Sequence, residues 1–184
     1  MPAAPKPYDE PERTQALDEC GILDTPPEPS FDALTALARR LCGAPLAFVS
    51  LVDRNRQWFK SHCGTSTSET PREGAFCSYV VFTADAMVVE DATKDPRMCD
   101  SPLVTGRPFI RAYAGFPITT RDGLTLGSFC IVDTVPRCFT PDQLNDLKSL
   151  ALVATELLEL RRDVASLSSI QSSPAASDVL RRLD

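Results

Sequence analysis

The sequence predicts an α+β fold, and three patterns in its 184 residues lead to that prediction. Apolar residues recur at helical spacing from Phe31 to Leu41. Two β-branched, apolar stretches, 46–62 and 109–134, each contain a polar turn at which the chain can reverse, as antiparallel strands do. Helical spacing returns from Leu144 to Leu167. Helices near both chain ends therefore flank a block of antiparallel strands.

The N-terminal part predicts an arm followed by two helices. Residues 1–11 are rich in proline and charge, which predicts a flexible arm. A short helix is expected over 12–20, and the proline-stiffened connector 22–29 separates it from a second helix. Ser30 is the expected N-cap of that second helix, and Gly43 is its expected stop.

Two strands and an ambiguous segment follow. The stretch 46–53, "LAFVSLVD", is apolar at odd and even positions alike, which predicts a strand covered on both faces. A polar turn at 54–55 then leads into an antiparallel return strand over 56–62. The segment "FCSYVVF", 76–82, suits a strand by composition, but its polar flank makes one or two helical turns an equal alternative.

A long irregular segment separates this part from a hairpin. Residues 91–108 are polar and lack a regular period, and long loops of this kind often act as lids or binding loops. The segments 109–119 and 124–134 predict two strands, joined through Asp122-Gly123, a strong hairpin signal.

The last helix carries more apolar surface than one domain needs. Thr140, Pro141 and Gln143 predict a capping box at its start. One apolar stripe suffices to pack the helix on its own sheet, whereas a second continues to Leu167 at spacings of three and four, as in a coiled-coil seam. This second stripe predicts a dimer interface formed by Leu150, Val153, Leu157, Leu160 and Val164. Residues 163–184 are the predicted helical extension and mobile tail.

Composition and charge exclude several classes of partner. The net charge is −6, and the basic residues form no stripe that could follow nucleic-acid phosphates. No apolar run is long enough for a membrane span, and the N-terminus lacks the apolar core of a secretory signal. The expected compartment is the cytoplasm. Seven cysteines without a CxxC pair, and a single histidine, His62, predict no metal site.

Five segments resemble, in order and spacing, those of a GAF domain. They are "ILDTPPEPSFDALTALARRLCGAPLAFVSLVDRNRQWFKS", "TPREGAFCSYVV", "VVEDATKDPRMCDSPLVTG", "IRAYAGFPI" and "LGSFCIVDTVPR". The resemblance runs from about Arg13 to about Leu160 and is strongest with single modules of bacterial-type signalling proteins, so the predicted domain spans 12–162. It implies a central antiparallel sheet of five or six strands, with N- and C-terminal helices on one face. Short helices and loops would close a pocket on the other.

The resemblance also implies a function. The chain would be a non-catalytic sensory or regulatory module that binds a small molecule, forms a homodimer through its terminal helices, and acts on a histidine kinase or diguanylate cyclase partner. The ligand and any cofactor are left unidentified. Some relatives attach a bilin to a cysteine that is followed directly by histidine, but Ser78 follows Cys77 here, which argues against a bilin.

The motifs nominate a set of pocket residues. They are Phe76, Cys77, Asp91, Asp95, Arg97, Val104, Phe109, Tyr113, Phe116 and Cys130. The segment 91–108 also carries a polar cluster, formed by Asp91, Asp95, Arg97, Asp100 and Arg107. These side chains could bind a polar ligand through bidentate hydrogen bonds or could cap turns, and the sequence favours capping. Small residues at 114–115 and 127–128 fit either a cavity or close helix packing, and both alternatives stay open.

Two other functions remain as alternatives. Cys77 lies in a segment without charge and could be a nucleophile, although a small apolar wall residue is the favoured reading. Convergence of Cys77, Cys99 and Cys130 would suit a thiol-dependent redox enzyme similar to the free methionine sulfoxide reductases, which are built on the same fold. A protein-interaction domain whose pocket is filled is the other alternative.

Overall fold

The computed structural model describes residues 4–171. The helices in this part of the chain are α1 (Glu10–Glu19), α2 (Pro29–Cys42), α3 (Phe76–Thr83), α4 (Pro102–Thr105) and α5 (Pro141–Gln171). The strands are β1 (Leu46–Val52), β2 (Arg56–Cys63), β3 (Glu69–Pro71), β4 (Met87–Val89), β5 (Ala112–Thr119) and β6 (Thr125–Asp133). None of these helices is long and apolar enough to cross a membrane.

The six strands form one antiparallel sheet in the order β3-β2-β1-β6-β5-β4. The N-terminal strand β1 lies at the centre, between its hairpin partner β2 and the last strand β6. Both long strand pairs predicted from the sequence are present, and the residues Asp122 and Gly123 lie in the turn between β5 and β6. The predicted α+β architecture is thus confirmed.

Each face of the sheet has its own buried cluster. Alternate residues of β1, such as Val49 and Leu51, pack with helices α1, α2 and α5 on one face. The intervening residues, such as Phe48 and Val52, pack on the other face with α3, β4 and the segment that follows β4. Because side chains alternate along a strand, apolar residues at both odd and even positions of β1 indicate cover on both faces, as predicted.

The first two helices begin earlier than predicted. Helix α1 begins at Glu10, where the carboxylate accepts hydrogen bonds from the buried Arg13 and from Arg72 and so ties the first turn to the domain. Helix α2 begins at Pro29 with Glu28, not Ser30, as its N-cap, because the fixed φ of proline suits the first helical position. Gly43 ends α2 in the left-handed conformation, as predicted.

The ambiguous segment 76–82 is helical. Helix α3 lays Phe76, Cys77, Val80 and Val81 against the sheet, and these positions share one helical face. The segment 91–108 contains only the short helix α4, in agreement with its irregular pattern.

Helix α5 begins at the predicted capping box. The Thr140 amide donates to Oε1 of Gln143 at 3.1 Å, and the Gln143 amide donates to Oγ1 of Thr140 at 3.2 Å. The helix extends to Gln171, which lies within the segment 163–184 predicted as a helical extension and tail. The rest of the predicted mobile tail, and the first three residues of the predicted arm, lie outside the described residues.

Candidate ligand-binding cavity

A cavity of about 410 Å³ lies on the sheet face opposite the terminal helices. It is bounded by β1, β2, β5 and β6 beneath, and by the start of α3 and the segment 103–110 above. Most of its wall is apolar, contributed by Pro45, Leu46, Phe48, Phe59, Phe76, Leu103, Pro108, Ile110, Tyr113 and Val132. Both the volume and the apolar wall are typical of small-molecule sites.

Four of the predicted pocket residues line this cavity. They are Phe76, Cys77, Tyr113 and Cys130. The ring of Phe76 stacks on that of Tyr113 with centroids 5.0 Å apart, which forms a flat aromatic part of the wall. The segment around Cys77 thus contributes Phe76 and Cys77 to the wall of this cavity.

The two cysteines meet at the floor of the cavity. Their Sγ atoms are 3.8 Å apart. The Tyr113 hydroxyl donates to Sγ of Cys77 at 3.4 Å and lies 3.0 Å from Oγ of Ser128. Since a phenol has one proton, the Ser128 hydroxyl then donates to Tyr113, and the polar groups form a chain from Ser128 through Tyr113 to Cys77.

These contacts give the two thiols different pKa values. Hydrogen bonding with Cys130, opposed by burial and assisted by the hydroxyls of Ser50, Tyr113 and Ser128, lowers the pKa of Cys77 to about 7. Burial, together with the neighbouring Cys77, raises the pKa of Cys130 well above its usual range. Cys77 is also the second residue of α3, where the helix dipole favours a thiolate.

Gly115 makes room for this arrangement. A Cβ at position 115 would lie 2.1 Å from the Tyr113 hydroxyl oxygen and 2.7 Å from Oγ of Ser128. Gly127 has a different role, since a Cβ there would lie 2.0 Å from the backbone oxygen of Ser50 on the adjacent strand. The small residues at the centre of the sheet thus allow the tyrosine to lie flat and two strands to approach.

One charged side chain of the cavity wall, that of Arg107, lies at the mouth of the cavity. Arg107 is the one charged side chain in the wall, and within residues 4–171 no hydrogen bond or ion pair reaches its guanidinium. It is exposed, as are Gly64 and Thr67 across the opening. The other polar side chains of the wall are the uncharged Gln57, Thr65, Thr67, Thr70 and Thr134, the Tyr113 hydroxyl and the two thiols.

The predicted polar contacts Asp91, Asp95 and Arg97 do not line the cavity. Asp91 accepts from the amide and hydroxyl of Thr93, and Asp95 accepts from the amide and guanidinium of Arg97. Hydrogen bonds from Thr93 and Lys94 lower the pKa of Asp91 to about 2. These side chains organise the turns of the segment 91–108, which is the capping alternative.

Three predicted apolar pocket residues also lie elsewhere. Val104 is buried in the apolar cluster on this face of the sheet but does not reach the cavity wall. Phe109 is 46% exposed and lies beside the guanidinium of Arg111. Phe116 packs on the face of the terminal helices, because it lies an odd number of residues from Tyr113 on the same strand. The placement of Phe116 in the pocket was therefore wrong.

The predicted dimer interface divides into two parts. Leu150 is 7% exposed and belongs to the core of its own domain, so it is not available to a partner, and Leu157 packs on the same core. Val153, Leu160 and Val164 are 45%, 60% and 55% exposed. The exposed stripe continues to Leu167 at 62%. Val153, Leu160 and Leu167 recur one heptad apart, as in a coiled-coil seam.

Sequence reasoning missed the aromatic and loop residues of the wall. Phe48 and Phe59 lie with ring centroids 4.5 Å apart on neighbouring strands. The strand alternation could have assigned both to one face. Thr65 and Thr67 come from a loop, whose position over the sheet no local pattern predicts. No group of three metal-ligating side chains occurs among the residues that the structure describes.

One curated relative is a cyclic di-GMP phosphodiesterase from Pseudomonas aeruginosa. It is 40% identical over 137 residues, which are 74% of this chain and 23% of the relative. The chain therefore spans less than a quarter of that protein.

Solved structures resemble the chain at low identity. The GAF domain of an Acinetobacter phosphoenolpyruvate-protein phosphotransferase is 14% identical with a TM-score of 0.63, over 83% of this chain and 98% of that one. A free methionine-R-sulfoxide reductase from Neisseria meningitidis is 15% identical with a TM-score of 0.60, over 81% and 89%. These likenesses concern the fold alone. The family model of the GAF domain matches residues 26–157, most of the chain, and the chain belongs to the GAF domain family.

Proposed function

We propose that this GAF domain is a non-catalytic regulatory module that binds a small apolar molecule carrying one anionic group. The observation that supports this most is the cavity of about 410 Å³ with an apolar wall and, at its mouth, Arg107, which has no hydrogen-bond or ion-pair partner among the described residues. A guanidinium at the edge of an apolar pocket suits a carboxylate through bidentate hydrogen bonds. The apolar body of the ligand would pack between Phe76, Tyr113 and the strand residues.

A signalling role is supported by the relative that acts on cyclic di-GMP. Cyclic di-GMP itself is a poor candidate for the cavity ligand, because it carries two phosphate charges and the described wall offers one cation. We therefore place this module as the sensor of a separate small molecule within a cyclic-dinucleotide signalling protein or complex. A diguanylate cyclase, a phosphodiesterase or a histidine kinase would provide the output.

The non-catalytic assignment is supported by the chemistry of the wall. Among the described residues its titratable groups are Cys77, Tyr113, Cys130 and Arg107. General acid–base catalysis needs a group poised near neutral pH within reach of substrate, and Cys77 has that pKa but already contacts Cys130 and Tyr113. The predicted third cysteine of a redox enzyme, Cys99, does not line the cavity.

The effect of ligand binding would pass from the cavity to the helical dimer through strand β6 and helix α5. Strand β6 contributes Cys130 and Val132 to the cavity wall, and a short connector joins it to α5. Within this connector the Arg137 amide donates to the Glu90 carbonyl at 3.0 Å and its guanidinium pairs with Asp133 at 3.3 Å. A ligand shifts α5 only to the extent that it binds one arrangement more tightly than the other.

Arg107 allows a direct test of the ligand class. A thermal-shift panel would contain phenylacetate, 4-hydroxybenzoate, indole-3-acetate and hexanoate, together with the matching uncharged amides. At about 100 times its Kd, a ligand stabilises by about 2.7 kcal/mol. We expect at least one acid to stabilise the wild type, its amide to do so less, and Arg107→Gln to remove the difference.

Arg97→Gln is the matched control. It lies in the same segment but pairs with Asp95 outside the cavity, so acid binding should persist. An acid that stabilises Arg107→Gln as strongly as the wild type would contradict the role of Arg107. No stabilisation by any panel member would favour the interaction domain with a filled pocket.

A further inference from the structure

The floor of the cavity holds two thiols in van der Waals contact. Cys77, on α3, and Cys130, on β6, have Sγ atoms 3.8 Å apart, and each side chain is almost wholly buried from bulk solvent, with 3% and 1% exposed. Both nonetheless line the cavity, whose wall includes the exposed residues Gly64, Thr67 and Arg107. A molecule little larger than water can therefore approach them from the mouth.

The surroundings make the two sulfur atoms unlike each other. The Tyr113 hydroxyl donates to Cys77, and Cys77 stands in the first turn of α3, whereas Cys130 lies in the middle of a central strand. The hydrogen-bonding partners lower the pKa of Cys77, and burial raises that of Cys130. Thiolate character and access decide which cysteine reacts first with an oxidant, so Cys77 is the attacking sulfur.

We propose that Cys77 and Cys130 form a reversible disulfide in response to hydrogen peroxide, which makes the cavity floor a redox-sensitive modification site. The Cys77 thiolate attacks one peroxide oxygen, so an S–O bond forms, the O–O bond breaks, and the departing hydroxide takes up a proton as water. The Cys130 sulfur then attacks the Cys77 sulfenic acid, forming the S–S bond. The S–O bond breaks, and the hydroxide leaves with the Cys130 proton as a second water.

The disulfide changes the cavity wall. Its formation shortens the sulfur–sulfur distance from 3.8 Å to about 2.05 Å, which draws the first turn of α3 toward β6. It also removes the thiolate that accepts the hydrogen bond from Tyr113. This proposal goes beyond ligand binding and does not depend on it, because the two thiols and the peroxide suffice for the reaction.

Peptide mapping of the peroxide-treated protein tests the proposal. The full chain is treated with hydrogen peroxide, free thiols are alkylated under denaturing conditions, and peptides are mapped without reduction. We expect one linked peptide pair containing Cys77 and Cys130, which dithiothreitol separates. Both thiols remaining free, or either paired with another cysteine, would overturn the proposal.

Serine variants test the order of the two steps by a readout that does not require the disulfide to form. In Cys130→Ser, dimedone should trap a sulfenic acid on Cys77, whereas in Cys77→Ser it should trap none on Cys130. Cys63→Ser is the control, since Cys63 lies at the end of β2 and outside the cavity, and it should give the same linked pair as the wild type. Sulfenic acid on Cys130 with Cys77 unreacted would overturn the assigned order. Near-ultraviolet circular dichroism confirms that each variant is folded, and the wild-type map remains decisive if one is not.

Discussion

At the scale of single residues, the centre of the site is Tyr113. Its ring stacks on Phe76, and its hydroxyl links Ser128 to Cys77. This position is possible only because residue 115 has no side chain. A glycine in a strand interior usually weakens the strand, so its presence here indicates close approach by another group.

Gly115→Ala should therefore displace Tyr113. The new Cβ would lie 2.1 Å from the hydroxyl oxygen, and we expect a loss of about 1–3 kcal/mol in the free energy of unfolding, measured by urea denaturation. In a Tyr113→Leu background the same substitution should cost clearly less, because the far end of the ring is gone. Equal costs in the two backgrounds would contradict the proposed contact.

The sequence predicted some site residues and misplaced others for physical reasons. Strand alternation already separates Tyr113 from Phe116, so only one of them could face the cavity. The carboxylates of Asp91 and Asp95 are satisfied within their own turns, which residue type alone does not distinguish from ligand contact. Arg107 was part of the polar cluster, but its place at the cavity mouth depends on how the segment 91–108 folds over the sheet.

At the scale of elements, helix α1 is held by a charged cluster. Arg13 is fully buried and donates to the Val52 carbonyl at 2.6 Å, while Glu10 joins Arg13 to Arg72. Burial raises the pKa of Glu10, but hydrogen bonds from Arg72 and Arg13 outweigh it and lower the pKa from 4.5 to about 2. The cluster explains why the helix begins before the predicted residue.

The Glu10 cluster predicts a pH dependence of stability. Because the folded-state pKa is below the unfolded-state value, the contribution of Glu10 is complete above about pH 5 and is lost as the pH falls toward about 2. Glu10→Gln should lower the free energy of unfolding at pH 7 by about 1–3 kcal/mol, since it leaves buried Arg13 less well paired. The difference from wild type should shrink steadily on acidification.

Glu12→Gln provides the control for this titration. Glu12 is exposed on the same helix, so its replacement should change the free energy of unfolding little, both at pH 7 and at pH 2. Chemical denaturation from pH 7 to pH 2 measures all three proteins. A Glu10→Gln difference that stays constant over this range would contradict the assigned pKa.

The exposed apolar stripe of helix α5 leads to a prediction about how two copies of the chain associate. The stripe of Val153, Leu160, Val164 and Leu167 is exposed. Combining Leu160→Glu with Val164→Glu should convert a dimer into a monomer in analytical ultracentrifugation, because two apolar seam positions become charged. Leu152→Glu is the control, since Leu152 is 62% exposed on the same helix but outside the stripe. A dimer that survives the double substitution would locate the interface elsewhere.

One feature of the strands had no local signal. Between β1 and β2 the pairing passes from Val49–Ser61 to Ser50–Phe59, so Lys60 is an extra residue on β2. Its side chain is buried and reaches Glu28 and the Thr25 hydroxyl. The bulge keeps Phe59 on the cavity face while Ser61 meets α2, an outcome decided by the partners across the sheet.

At the scale of the whole molecule, most of the fold could be predicted from the periodicity of apolar residues and from local turn and capping signals. Hairpin, capping and helical-stop signals predicted the two strand pairs, the end of α2 and the start of α5, because those signals are local. The helical state of 76–82 depends on packing over the sheet, and the position of the loop at 64–67 depends on the cavity that it borders. Neither is encoded in a short pattern, so a pocket on this face could be expected from the sequence but most of the residues that form its wall could not.

Native mass spectrometry of the full chain as purified tests the central claim, that the cavity binds a small molecule. Leu103→Trp, which replaces a wall residue by a larger one, serves as the comparison because its side chain would occupy the cavity. We predict an additional bound mass on the wild type, either retained from the cell or acquired from the panel of acids, and its absence from Leu103→Trp. A wild type that carries no bound mass and acquires none from any acid of the panel, or a mass bound equally by Leu103→Trp, would contradict the claim.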